Sequence, residues 1–501
     1  MSQQYEQYKS ITQKAADFNN AAAVLGWDQE VYMPEKGFAF RGRQLATLAA
    51  QAHDLITSEA YGNLLHELAE DGKLNEVQQQ NVRISLEDYE KNKKLSAAFV
   101  EQMTAQSTAS FSAWIEARHK NDFSLYAPEL EKMIALKKQQ AELYGYEQHP
   151  YDALLDDYEK GATVAMLDPV FENVREQLQP VLAKISSVEQ VSDAFFFQSF
   201  DKQKQFDFSI EVLRKMGYDM AAGRQDFSEH PFTTSFAPTD VRITTRVSEQ
   251  DFSSLLWSSI HEGGHALYEQ GLPEEQYGLP LGGAASLSIH ESQSRLWENC
   301  VGRSYDFWTY FYPQLQAFFP AQLKNKSTED FYKGMNKVQP SLIRTEADEL
   351  TYHFHVMIRY EIEKALLGKE LKTKDLALVW NEYYQKYLGI SAKDDRQGVL
   401  QDVHWSHGSF GYFPTYSLGS LYAAQFFAQA AAHIGNLHEQ ISAGNFAPLL
   451  QWLRTHIHQY GRRYRSEELC VKITGKPLDF SAFLEGIQTK YSGIYGLRLG
   501  A

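Results

Sequence analysis

Cysteine is scarce: the 501 residues hold only Cys300 and Cys470. Neither has a Cys-x-x-Cys partner, so no disulfide scaffold is expected. Basic charge is in deficit, with 48 Lys and Arg against 64 Asp and Glu and a net charge of −16. No basic excess is left to neutralise phosphates, which argues against nucleic acid as a partner. No uninterrupted apolar run approaches the roughly 18 residues of a spanning helix. The start, "MSQQYEQYKSITQK", lacks the apolar stretch of a signal peptide. A soluble, cytoplasmic protein without a membrane partner is expected. There is also no low-complexity linker, fixed-period repeat or Gly/Ser-rich or Pro-rich joint, so residues 1–501 are read as one domain.

What is present is an ordinary globular balance, 43% hydrophobic and 22% charged, with 13% aromatic residues that favour a packed interior. To about residue 225, apolar residues recur at three and four in "SITQKAADFNNAAAVLGW", "RGRQLATLAAQAHDLI", "NEVQQQNVRISLEDYEKNKK" and "SAAFVEQMTAQSTASFSAWIEARH", which predicts helices. The pattern breaks near residue 230. There "HPFTTSFAPTDVRITTRV" alternates and is β-branched, which predicts a hairpin turning at Ala237–Asp240. Helices resume around "SLSIHESQSRLWENCVG" and in a long segment from about Arg344 through "EADELTYHFHVMIRYEIEKALL". The stretch "HWSHGSFGYFPTYSLG" reads as irregular.

Directly after the hairpin comes "SSIHEGGHALYEQG", residues 258–271. It sits in an apolar helical pattern with Ser248 and Asp251 as a capping pair and Gly271 as the stop. His261 and His265, four apart, project from one face of that helix, while Glu262 points about 100° away. This is the spacing of a zinc hydrolase. A carboxylate in a following helix completes the set: Glu291 in "SIHESQSRLWEN". Two histidines and one glutamate leave a coordination position open, as catalytic zinc requires. Glu262 takes the role of general base. His290 is expected to pack or to support a ligand, and Glu298 to be solvated or salt-bridged. Gly263 and Gly264 each cost about 1 kcal/mol inside a helix. They are expected to keep its face low for a substrate backbone or crossing strand, with tight helix packing as the alternative.

With these residues in place the chain resembles the carboxypeptidase Taq family of metallocarboxypeptidases. The matching motifs are "WDQEVYMP", "YDALLDDYEKG", "HPF", "DVRIT", "HEGGH", "HESQ", "IRTEAD" and "GVLQDVHW", in order along nearly the whole chain. The resemblance implies a mainly α fold similar to neurolysin and angiotensin-converting enzyme. In it a deep groove runs between two lobes, a helical one to about residue 225 and a second from about 226 to 501, with a small β-hairpin or sheet near the active site. It further implies a homodimer that removes C-terminal residues from peptides with broad preference, and a zinc ion as cofactor, with Co2+ or Mn2+ as substitutes.

The family motifs extend the site. Asp240, Arg242 and Thr244 match the strand motif, where an exposed edge can bind an extended peptide and Arg242 can contact it, or Asp240 and Arg242 can simply pair. His404 is the first choice as donor to a developing oxyanion, oriented by Asp402 or Gln401, with Tyr412 and Tyr416 as phenolic donors. An exopeptidase must also hold a terminal carboxylate, and a guanidinium does so with two parallel charge-assisted bonds. Arg344 is the first candidate, with Glu346, Asp348 and Glu349 as its competing partners, and Arg396 is the second. Two other readings stand beside this one: an oligoendopeptidase on the same metal site, and a helical binding protein with a structural metal. The open ligand set argues against the last.

Overall fold

A computed structural model describes residues 3–500. The chain is mainly helical, and the four N-terminal patterns fall in the helices Gln3–Val31, Phe38–Thr57, Glu76–Lys93 and Ala97–Lys120. Local chemistry sets their ends. Ser96 accepts the Phe99 amide at the start of Ala97–Lys120, and Asn121 closes that helix in the left-handed conformation, φ 56°.

The chain forms two compact units, and it enters each of them three times. The first comprises Met1–Lys93, Ser192–Met335 and Ala423–Leu478; the second comprises Lys94–Val191, Asn336–Tyr422 and Asp479–Ala501. The boundary expected near residue 225 marks the change from helices to strands, whereas packing joins segments distant in sequence. In the first unit, Tyr5, Tyr8, Tyr61, Leu65 and Val82 share one buried cluster, so the N-terminal helices pack as a layer over their aromatic stripes. No helix among the described residues is long and apolar enough to cross a membrane.

Three strands form the sheet: β1 (Gly223–Phe227), β2 (Thr233–Ala237) and β3 (Asp240–Thr245), in the order β1-β3-β2. The expected hairpin is β2–β3, antiparallel, with Ala237 opposite Asp240 and an irregularity between Ser235 and Ala237. β1 pairs parallel to β3 and was not expected. Its sequence, "GRQDF", lacks the β-branched alternation of a strand; β3 supplies its partner through tertiary packing.

Two local expectations need correction, and one expected helix changes its winding. The helix expected from about Arg344 begins at Tyr352 and ends at Gly368. Asp348 holds the preceding segment by accepting the backbone N–H groups of Leu350 and Thr351, an alternative to helical bonding. The stretch expected to be irregular through Gly419 becomes helical at Phe413, where Pro414 supplies a pre-set helical φ. The helix carrying Glu291, Leu287–Arg295, continues as a π-helix over Leu296–Gly302.

Candidate metal centre

The helix Phe252–Glu269 starts where Asp251 accepts the Ser253 amide, and it carries both histidines one turn apart. Their Nε2 atoms converge on one carboxylate: Glu291 Oε2 lies 3.7 Å from His261 Nε2 and 3.4 Å from His265 Nε2. The three ligand atoms lie within 4.8 Å of one another. Tetrahedral coordination with bonds of about 2.0–2.2 Å gives ligand-to-ligand edges of roughly 3.3–3.6 Å, so His261, His265 and Glu291 fit a divalent cation.

The opposite ring nitrogens are engaged by protein. His261 Nδ1 lies 2.8 Å from Glu298 Oε2, and His265 Nδ1 lies 3.1 Å from the His290 carbonyl oxygen. Such partners fix which nitrogen carries the proton and leave Nε2 for metal. Glu291 and Glu298, about two turns apart, thus grip His261 from its two nitrogens. Arg295 joins them, donating to Glu291 Oε1 at 2.7 Å and to Glu298 Oε2 at 3.3 Å; Arg303 donates to Glu298 Oε1 at 3.2 Å. Burial would raise the pKa of both carboxyls, but Arg295 and the imidazoles, with Arg303 at Glu298, hold them well below the carboxylate range. Glu298 is therefore buried and ion-paired, contrary to the solvated alternative. Arg295 and Glu298 follow Glu291 at helical spacing, a signal that was readable in sequence.

Glu262 is buried, and β2 holds it: the Thr233 hydroxyl lies 2.6 Å from Glu262 Oε2 and 2.9 Å from the Glu262 carbonyl oxygen. Gly263 and Gly264 serve helix packing, not an open face for substrate. A Cβ at Gly264 would stand 2.6 Å from Ser294 Cα, and one at Gly263 would stand 2.5 Å from Leu213 Cδ2. Gly264 lets the two ligand helices approach closely enough for Glu291 to reach both imidazoles, while Gly263 makes room for the helix Lys202–Met216.

A different cluster forms in the second unit. Asp402 lies between two buried guanidiniums: its Oδ1 accepts from Arg344 Nε at 3.0 Å, and its Oδ2 from Arg359 Nε at 2.6 Å. Arg344 Nη1 donates to the Tyr352 hydroxyl at 3.0 Å. The partner of Arg344 is thus Asp402, not one of the nearby acids in its own segment. Gln401 Oε1 accepts from the Arg344 amide and from Arg359 Nη2. His404 Nε2 lies 3.2 Å from the Tyr416 hydroxyl, and its ring centroid lies 5.4 Å from that of Tyr412. The structure therefore brings His404, Tyr412 and Tyr416 together. Asp402 is 3.9 Å from His404 Nδ1, too far for a hydrogen bond; it is committed to the arginines. Burial, reinforced by Arg344, lowers the His404 pKa to about 3, so this imidazole stays neutral.

Arg396 and Arg242 have other occupations. Arg396 is exposed and donates to the carbonyls of Arg118 and His119, closing the C-terminal end of the helix Ala97–Lys120. Arg242 pairs with Asp240 at 2.8 Å and stands over the Trp27 ring, 4.5 Å from its centroid. One carboxylate in the second unit has no counterpart in the sequence motifs. Glu363 is fully buried and accepts from Trp405 Nε1 at 2.7 Å, the Gly411 amide at 2.8 Å and the Tyr151 hydroxyl at 2.5 Å. It ties down both ends of the loop between His404 and Tyr412.

Residues 7–491 match the family model described as carboxypeptidase Taq (M32) metallopeptidase. Thermostable carboxypeptidase 1 of Thermus thermophilus is 40% identical over 505 aligned positions, covering 98% of this chain and 99% of that protein. Carboxypeptidase 1 of Bacillus subtilis is 38% identical over 492, covering 98% of each. The crystal structure of an M32 carboxypeptidase from Deinococcus radiodurans superposes with a TM-score of 0.97 at 39% identity, over 99% of this chain and 100% of that one. The ligand geometry and these relatives agree: the chain belongs to the carboxypeptidase Taq (M32) family and is a metallocarboxypeptidase.

Proposed function

We propose that this chain releases amino acids from the C-terminus of peptides with broad preference, using a single zinc ion at His261, His265 and Glu291. The observation that carries this reading is the convergence of two imidazoles and one carboxylate oxygen, their ligand atoms within 4.8 Å of one another, next in sequence to a glutamate held by Thr233. A divalent cation bound there supplies Lewis acidity toward a carbonyl oxygen and acidifies water. Co2+ and Mn2+ suit the same donor set.

Glu262 accepts the proton of the attacking water and delivers it to the leaving amine. The Thr233 hydroxyl keeps its carboxylate in one orientation, so the base does not have to be ordered during the reaction. His404, Tyr412 and Tyr416 are assigned as donors toward developing oxyanion charge. His404 is neutral and retains an N–H to donate, and phenols are donors at any working pH. The terminal carboxylate of the peptide is assigned to the arginine cluster. Arg344 and Arg359 share the Asp402 carboxylate, which leaves a surplus positive charge in a buried setting. A homodimer and a cytoplasmic location complete the proposal.

The test is a mass-spectrometric digest of one peptide as the free acid and as the C-terminal amide, before and after chelation. The expected result is a ladder of C-terminal trimming on the acid, little on the amide, and none after the metal is removed. Internal fragments from both peptides at equal rates would replace this reading by the oligoendopeptidase one.

A further inference from the structure

His265 and Glu269 are four residues apart on the helix that carries the metal ligands, so both stand on the stripe that begins at His261. Glu269 does not join the ligand group. It reaches instead to His290, the residue preceding Glu291: His290 Nε2 lies 2.7 Å from Glu269 Oε1. The other nitrogen of the same ring, His290 Nδ1, lies 2.6 Å from His265 Nδ1. Three side chains therefore stand in line, a carboxylate, an imidazole and a second imidazole whose far nitrogen faces Glu291. The middle ring is held in place by Tyr268, whose ring centroid is 5.4 Å away at 61°; the Tyr268 hydroxyl in turn accepts the Ala285 amide.

One assignment fixes all the others. A metal at His265 Nε2 requires that nitrogen to be unprotonated, so the proton of the neutral ring is on Nδ1. Nδ1–H has two acceptors in reach, the His290 carbonyl oxygen at 3.1 Å and His290 Nδ1 at 2.6 Å. Two nitrogens this close do not both carry protons, so His290 Nδ1 is the acceptor. The proton of His290 then resides on Nε2, the atom that faces Glu269, and the carboxylate accepts it. The two metal histidines are thus oriented by different devices. His261 meets a carboxylate directly, Glu298, whereas His265 meets one through an intervening ring.

We propose that His290 and Glu269 are positioning residues that fix the tautomer and ring orientation of His265 through this carboxylate–imidazole–imidazole line, and so raise the affinity of the site for its metal. The proposal rests on His261, His265 and Glu291 being the metal ligands. Loss of such outer partners costs about 10- to 100-fold in metal affinity.

The experiment measures zinc affinity by competition with a chelator of known strength. It compares the full-length parent with Glu269→Ala, His290→Leu, Glu269→Gln and, as the ligand control, Glu291→Ala. Glu269→Ala and His290→Leu break the line from opposite ends, so either decides the matter if the other does not fold. Each is expected to bind zinc about 10- to 100-fold more weakly. Glu269→Gln keeps an oxygen acceptor for His290 Nε2–H and is expected to recover most of that loss. A purely structural role would not predict this rescue. Selective 15N labelling of histidine in the zinc-loaded parent is expected to show His265 protonated at Nδ1 and His290 at Nε2. Zinc affinity within twofold of the parent in Glu269→Ala or His290→Leu, while Glu291→Ala releases the metal, overturns the proposal and leaves the ligand set standing. If Glu291→Ala also retains the metal, the ligand set is itself wrong, and the proposal falls with it.

Discussion

The histidine cluster of the first unit and the arginine cluster of the second both bury ionised groups, yet they are wired differently. Around the histidines, charge is paired many times over. Glu291 and Glu298 share Arg295, Glu298 also has Arg303, and each carboxylate touches His261. Around the arginines a single carboxylate, Asp402, serves two guanidiniums. Redundant pairing keeps the geometry of a ligand set intact when one contact is lost, whereas a shared partner leaves a net positive charge. The difference matches the proposed roles, a cation held by the first cluster and a substrate carboxylate met by the second.

The largest effect is expected where a charge reacts instead of holding. Glu262→Gln fills the same space and keeps a partner for Thr233, but it cannot accept a proton. Turnover should fall by about 10²–10⁴-fold, with bound-metal content unchanged by elemental analysis. Activity near that of the parent would remove Glu262 as the base.

The next break strikes the shared carboxylate. Asp402→Asn leaves the buried Arg344 and Arg359 guanidiniums without their counter-ion, and stability to urea should drop by about 3–5 kcal/mol. A loss below about 1 kcal/mol would mean that the two arginines are balanced elsewhere, and the contrast between the clusters would collapse.

Glu363 sharpens the comparison through pH. Burial lifts its pKa to about 7, against the three donors that pull it down. A carboxyl whose pKa is higher in the folded state than in the unfolded one, about 4.3, binds more protons when folded. Its contribution is fully present at low pH and is lost as pH rises through 7. The parent should lose stability relative to Glu363→Gln between about pH 4.5 and 7.5, by roughly 3 kcal/mol across the window. Parallel stability curves for the two proteins would show that Glu363 is already ionised throughout.

The smallest effect tests redundancy itself. Glu298→Gln retains an acceptor for His261 Nδ1, and Arg295 keeps Glu291. The expected cost is about 1–2 kcal/mol, clearly below that of Asp402→Asn in the same urea titration. An equal cost would show that the histidine cluster also depends on one charge.

Features that depend on near neighbours in sequence were legible. Helical spacing placed His261 and His265 on one face and separated Glu262 from them, and β-branched alternation marked the β2–β3 hairpin. The residues that orient the ligands were partly readable: Arg295 and Glu298 follow Glu291 at helical intervals, and Glu269 follows His265 by four. What those intervals did not show is which nitrogen each side chain meets. Sequence left Glu298 open between solvated and salt-bridged, and the glycines between substrate clearance and helix packing; the second of each pair is what the fold realises. Burial and close approach are properties of a pair of helices, and neither helix carries them alone.

The sequence by itself determined the chemistry available, two imidazoles and a carboxylate with a second carboxylate beside them, because helical periodicity is a short-range property of the backbone. Tertiary structure alone decided the rest. It set Asp402 between arginines 58 and 43 residues away and Glu363 beneath a loop reached from Tyr151, 212 residues distant. It also paired β1 with β3 and brought two glycines against neighbouring helices. These contacts exist only when chain segments remote in sequence are packed out of water, where an ionised or polar group must find its partner across the fold.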